Sequence, residues 1–160
     1  MTYRLSASAD SKDVWVSDRF PDPFGKEPYL LPDGTNIYKR VADGDTANLG
    51  FVPKFVQSNR GHVVGDLLWT TGSIKIASQR FVEVLTELDV TGFKTFAVEV
   101  FIDKRLRDDF TGLTITGTNA ASGVYKYQNV QFFKFLARDD VVHGLRGAGV
   151  DRLVFEEYDG

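Results

Sequence analysis

His62 and His143 are the only histidines in the 160-residue chain, and cysteine is absent. Nucleophilic hydrolysis needs a nucleophile, a base and an orienting acid in one place. The Gly-x-Ser-x-Gly turn that presents a reactive serine does not occur. Either histidine could serve as a general base, but a lone histidine outside any motif reads as structural. The lack of cysteine removes thiolate metal ligands, a thiol nucleophile and any disulfide. Asp43-Gly44-Asp45 is too short for a calcium loop and has no downstream bidentate glutamate, so it reads as a turn. Gly144–Gly149 is glycine-rich but precedes a predicted strand. A dinucleotide-binding loop must instead follow a strand and open a helix.

Carboxylates are the remaining chemistry-bearing groups. Asp108/Asp109, Asp139/Asp140 and Glu156/Glu157 are adjacent pairs. Neighbours on a strand point to opposite faces, and neighbours on a helix diverge by about 100°. Such pairs do not close on a sugar as glycosidase acids do. The sequence therefore predicts no catalysis, no cofactor and no metal. The acids stand instead as candidate partner-binding residues: Asp108, Asp109, Asp139, Asp140, Glu156, Glu157 and Asp159. The first two close a mixed-charge run, 103–109, that reads as an exposed connection, where partners often bind.

Charge supports this assignment. Nineteen basic and 22 acidic side chains give −3 overall. Residues 138–160 hold three of the bases and six of the acids, so the whole excess lies at the C-terminal end. No Lys/Arg cluster suited to phosphates is present, and nucleic acid is not expected as a partner. Neither a basic start with an apolar run at Met1–Ser17 nor a stretch of about 20 apolar residues is found. The expectation is a cytoplasmic protein without membrane contact.

The elements that must position these residues divide the chain unevenly. At 42% hydrophobic residues and 160 residues in length, a single domain over 1–160 is predicted. Residues 1–72 read as loop-rich, since all five prolines (Pro21, Pro23, Pro28, Pro32, Pro53) lie there, with short strands at Val14–Val16, Asn36–Val41 and His62–Trp69. Residues 73–160 read as regular. Ser78 is placed to cap a helix over 78–88, in which Phe81, Leu85 and Leu88 share a face. Phe93–Ile102 reads as one buried strand, Leu113–Thr118 as a half-exposed one, and Asn119–Gly123 as a turn. Val124–Leu136 holds a strand or two. Asp139 or Asp140 caps a second helix over 139–148, which Gly149 ends, and Val150–Tyr158 is the last strand. The resulting fold class is α+β: a mixed or mainly antiparallel sheet with two short helices packed on one face. Trp15 and Trp69 read as core or interface anchors.

Two stretches share a grammar. In 81–100 and again in 140–158, a short amphipathic helix, a turn and an aromatic strand follow one another. Leu85 and Leu145 sit five residues before Val90 and Val150. Helix–turn–strand units are common in α+β proteins, so the sequence leaves duplication and recurrence both open.

Ser78-Gln79-Arg80-Phe81, the following Val82–Val100 and the later Leu145–Glu157 resemble the immunity proteins of bacterial polymorphic toxin systems first recognised in myxobacteria. The resemblance covers residues 74–158. It rests on a Ser-x-Arg-Phe helix start, a Leu-rich helix ending in Gly, and the closing residues Leu145, Ala148, Gly149, Val150, Leu153 and Phe155. The chain departs from the pattern at Glu156-Glu157, where the family commonly has proline, and over its first 70 residues. The resemblance implies a protein that binds and neutralises a cognate antibacterial toxin by direct contact, without catalysis. Many toxins of such systems are basic nucleases, which acidic surfaces capture quickly. Two other expectations compete with it: a binding or oligomeric assembly subunit unconnected with toxins, and an enzyme built around His62 and Asp66.

Overall fold

The computed structural model describes residues 1–19, 30–31, 33–47, 49–70, 74–128 and 130–160. Four of the prolines, Pro21, Pro23, Pro28 and Pro32, lie outside these residues, as does Phe20. In chain order the elements are β1 (Thr2–Ala7), β2 (Trp15–Asp18), α1 (Ile37–Ala42), β3 (Lys54–Gln57), β4 (Leu67–Thr70) and β5 (Lys75–Ser78). Then come α2 (Gln79–Glu87), β6 (Phe93–Phe96), β7 (Glu99–Ile102), β8 (Arg105–Arg107) and β9 (Phe110–Ile115). The chain closes with β10 (Val124–Tyr127), β11 (Val130–Arg138), α3 (Asp139–Gly147) and β12 (Leu153–Tyr158). The α+β class holds, but the strands form two sheets: an antiparallel one ordered β10-β11-β1-β12 and a mixed one ordered β6-β9-β5-β4-β2-β3-β7-β8.

The larger sheet cannot be flat. Strands β6 and β7 are six inter-strand gaps apart in its order, about 29 Å if flat. Only residues 97 and 98 join them, a link that reaches about 10 Å. The sheet must curl until its ends approach, and the curl encloses a core of Val16, Phe55, Leu68, Ile76, Val100 and Phe110 with Ile37 and Val41 of α1. The single strand expected over Phe93–Ile102 is therefore broken, because its halves belong to opposite ends of the sheet.

The stretch Asn36–Val41, expected as a strand, is helical. Asn36 caps it by accepting the Tyr38 N–H at 2.8 Å, and Ile37 and Val41, one turn apart, are both buried. A second correction concerns β1. The loop-rich reading of 1–72 missed it, yet it lies in the middle of the smaller sheet between β11 and β12. Of the expected strand His62–Trp69, only the end is strand, as β4.

Helices α2 and α3 form where the heptad-like spacing predicts, and both pack into one core. That core unites Phe81, Val84 and Leu85 with Val141, Val142 and Leu145, the inner face of the smaller sheet (Leu5, Phe135, Ala137), and Leu67, Ala77 and Leu113 of the larger one. Gly144 lets the helices meet: a Cβ there would lie 2.6 Å from Leu88 Cδ1.

The shared grammar of the two stretches is a shared structure. Ser78 and Arg138, sixty residues apart, have nearly the same backbone (φ −68 for both, ψ 156 and 153) and each turns a strand directly into a helix. Each helix ends at a left-handed residue, Asp89 (φ 56) or Gly149 (φ 71). In each the following valine N–H closes onto a leucine carbonyl: Val90 to Leu85 at 3.0 Å, Val150 to Leu145 at 3.1 Å. Sheet pairing extends the match. The strands β4-β5-β9-β6 are ordered as β10-β11-β1-β12, with one antiparallel strand inserted between the strand before the helix and the strand after it. Registers agree: Ala77 faces Thr111 as Ala137 faces Tyr3, and Phe93 faces Ile115 as Leu153 faces Ala7. Even the turn contacts repeat, with Thr116 N–H on Gly92 at 2.8 Å and Ser8 N–H on Arg152 at 2.9 Å. The molecule contains two split β-α-β units, the second of which borrows its inserted strand from the N-terminus.

Candidate functional site

Alternation along β1 sends Leu5 into the core and Thr2, Arg4 and Ser6 to the outer face of the smaller sheet. A cross-strand row on that face runs Tyr125–Leu136–Arg4–Glu156. Arg4 lies at its centre. Its guanidinium carbon sits 5.9 Å from the centre of the Tyr127 ring and 5.7 Å from that of Tyr158, and the two rings meet edge to face at 5.6 Å. Glu156 holds Arg4 at 3.3 Å and Lys134 at 3.1 Å. Leu136 is buried, yet belongs to neither core. Half-exposed tyrosines around a paired arginine over a buried apolar residue give the composition of a protein-binding hot spot. Exposed Val154 extends it along β12.

The seven predicted acids are not brought to one place. Asp108 and Asp109 lie before β9. Arg107 donates to Asp109 at 2.9 and 2.7 Å and thereby holds its carboxyl below the usual range. Asp139 and Asp140 open α3, but Arg138 is the cap residue and neither acid caps by its side chain. They serve the helix dipole instead. Arg138 binds Asp140 through both oxygens and lowers its pKa, and His143 stands 3.4 Å from Asp139. Glu156 is neutralised as described. Glu157 and Asp159 are exposed and make no ion pair among the described residues, so the acid excess is effective at the end of β12.

Around His62 the structure shows a joint. His62 is exposed, and its backbone N–H donates to Lys12 at 2.9 Å. Asp66, 6% exposed, accepts Ser78 Oγ at 2.6 Å, Arg80 Nη2 at 2.6 Å and the Asp151 N–H at 2.7 Å. Burial alone would raise its pKa. The hydrogen bonds from Arg80, Ser78 and Asp151 outweigh that and hold it low. Asp13 is treated alike: burial opposes, and the Arg152 and Ser8 hydrogen bonds prevail. These two carboxylates tie the turn after α3 to the segments before β2 and β4, which is a structural duty.

Lys75 carried no sequence signal, being one lysine in an apolar strand. It is 5% exposed on the core-facing side of β5, 5.8 Å from the Phe135 ring centre, and burial pushes its pKa down to about 7. Beside it Ala7, Leu67, Trp69 and Phe133 line a cavity of about 20 Å³, room for one water. Trp15 and Trp69 are register partners with rings 5.1 Å apart, half-buried rather than in either core. Among the described residues no group of three His, Asp or Glu is placed to hold a metal ion, and no helix is long and apolar enough to cross a membrane.

Fold and surface together define an α+β protein of two split β-α-β units, one unit with an aromatic outer face. The chain matches no protein-family model and no curated protein.

Proposed function

We propose that the chain is an immunity-type protein that binds a protein toxin and neutralises it by contact, without catalysis of its own, from a cytoplasmic location. The observation that supports this best is the outer face of the smaller sheet, with Arg4 between Tyr127 and Tyr158, and with the exposed acids Glu157 and Asp159 at the adjoining end of β12. Tyrosines bury large areas at low entropic cost, an arginine beside them adds several donors, and exposed acids speed encounter with a basic partner. Glu157 of β12 and Asp159 just after it are the binding candidates this geometry favours, because Asp109, Asp140 and Glu156 are occupied by cations of their own.

The test is capture of the product of the gene immediately upstream in the native genome, with rescue of cells that express it. One-to-one capture with rescue is expected. Tyr158→Ala should weaken capture by about tenfold or more while the protein stays folded. Lack of both capture and rescue overturns the reading.

A further inference from the structure

We propose that the outer edge of β12 is a strand-addition site for a basic, extended segment of the partner protein. This rests on the binding reading above and names how the partner docks.

The described sheets have four edge strands, β6, β8, β10 and β12. An unpaired edge invites another chain, and proteins guard edges with charged side chains, lysine above all, with proline, brevity or cover; acidic guards repel a like edge but not a basic strand. Three of the four are guarded. β8 has three residues, two of them Arg105 and Arg107. β6 has four and carries exposed Lys94. β10 is covered, since the Lys126 N–H donates to Gly117 at 3.0 Å.

β12 is different. It runs six residues, Leu153–Tyr158, without Pro, Gly, Lys or Arg. The Ser8 N–H donates to Arg152 at 2.9 Å, which fixes the phase of the β1–β12 ladder. Hydrogen bonding alternates along an antiparallel pair. Val154, Glu156 and Tyr158 therefore turn their backbone groups to β1, while Leu153, Phe155 and Glu157 turn theirs outward. None of these three makes a backbone bond on that side among the described residues. The edge thus offers three N–H and three C=O groups to an incoming strand, the pattern used in strand addition.

Charge selects the occupant. Glu157 is exposed on the edge and Asp159 follows it, with no cation among the described residues paired to either. A second copy would bring the same carboxylates to the same edge. A segment with Lys or Arg at alternate positions would instead place cations along it, opposite Glu157.

The experiment uses the full chain, isotopically labelled, with three nine-residue peptides: alternating Lys/Val, alternating Glu/Val, and the Lys/Val peptide N-methylated at alternate residues. The Lys/Val peptide should slow amide exchange at Leu153, Phe155 and Glu157 and bind less tightly as salt rises. The other two should not. Glu157→Pro removes one outward N–H and leaves the ladder to β1 intact; it should weaken binding about tenfold, with the Val154 and Glu156 amides still protected as proof of folding. Failure of the Lys/Val peptide to protect the three amides overturns the proposal, as does equal binding of the N-methylated peptide. A dimer in which these amides are already protected also overturns it, since a second copy then covers the edge. Toxin capture by Glu157→Pro at undiminished affinity removes the edge while leaving toxin binding standing.

Discussion

The two split β-α-β units share topology, register and turn geometry, yet they dress that frame differently. In the first unit, the outer face of β4-β5-β9-β6 is turned inward by the curl of the larger sheet and is filled by Leu68, Ile76, Phe96 and Phe110. In the second unit the equivalent face of β10-β11-β1-β12 is not enclosed, and it carries Tyr125, Arg4, Glu156 and Tyr158 instead. Phe96 and Glu156 occupy the same frame position, as do Gly112 and Arg4. Enclosure decides the residue type: the same pleat is apolar where four further strands close over it and polar-aromatic where they do not. Among the described residues, this face is left open in the second unit and closed over in the first.

The largest effect expected from breaking this comparison comes from the core both units share. Leu85 and Leu145 are equivalent and fully buried. Replacing either by alanine should cost about 2–5 kcal/mol, read by denaturant unfolding, and the two losses should agree closely. A small loss at one site alone would mean that the helices are not equivalent in the core.

Next is Lys75, whose frame equivalent is Phe135. The second unit puts a ring where the first puts a buried amine. Lys75→Met should stabilise the protein by an amount on the order of 3 kcal/mol near neutral pH. The folded pKa is about 7 and the ordinary value 10.5, so the unfolded chain holds the proton more tightly. The wild-type protein then gains stability as pH rises from 7 to 10.5, and the advantage of Lys75→Met should fade over that window. A pH-independent gain would show that charge burial is not its source.

The smallest effect sharpens the asymmetry between the helices. Gly144 stands where α2 has Val84. Gly144→Ala should change stability by less than about 1 kcal/mol, because only the terminal methyl of half-buried Leu88 has to turn aside and alanine is the better helix former. A loss of about 2 kcal/mol or more would mean that Leu88 is held in place.

Sequence reasoning reached the parts governed by local spacing. Ser78, Phe81 and Leu85 announce α2, and Val141, Leu145 and Gly149 announce α3, since capping and a one-turn period are written in adjacent residues. The repeated Leu-to-Val spacing is also legible, but on its own it leaves duplication and common recurrence open, and the strand pairing decides between them. Non-local pairing was out of reach. Nothing in Thr2–Ala7 says that it lies between β11 and β12, and nothing in Phe93–Ile102 says that two of its residues bridge the ends of a curled sheet. Asn36–Val41 was misread because Ile and Val suggest strand, although Asn36 and the one-turn spacing of Ile37 and Val41 were there to be used. The acids at 156, 157 and 159 were visible as a charge excess, but their separation into paired Glu156 and unpaired Glu157 and Asp159 depends on where Arg4 and Lys134 fold. The tyrosine–arginine face was invisible for the same reason: Arg4, Tyr127 and Tyr158 come from three distant segments.

The most direct measurement is hydrogen–deuterium exchange on the complex with the upstream gene product. The account predicts slowed exchange over β12, β1 and β10 of the second unit, with β6 and α2 unchanged. Protection confined to the first unit, with the smaller sheet exchanging as in the free protein, would contradict it.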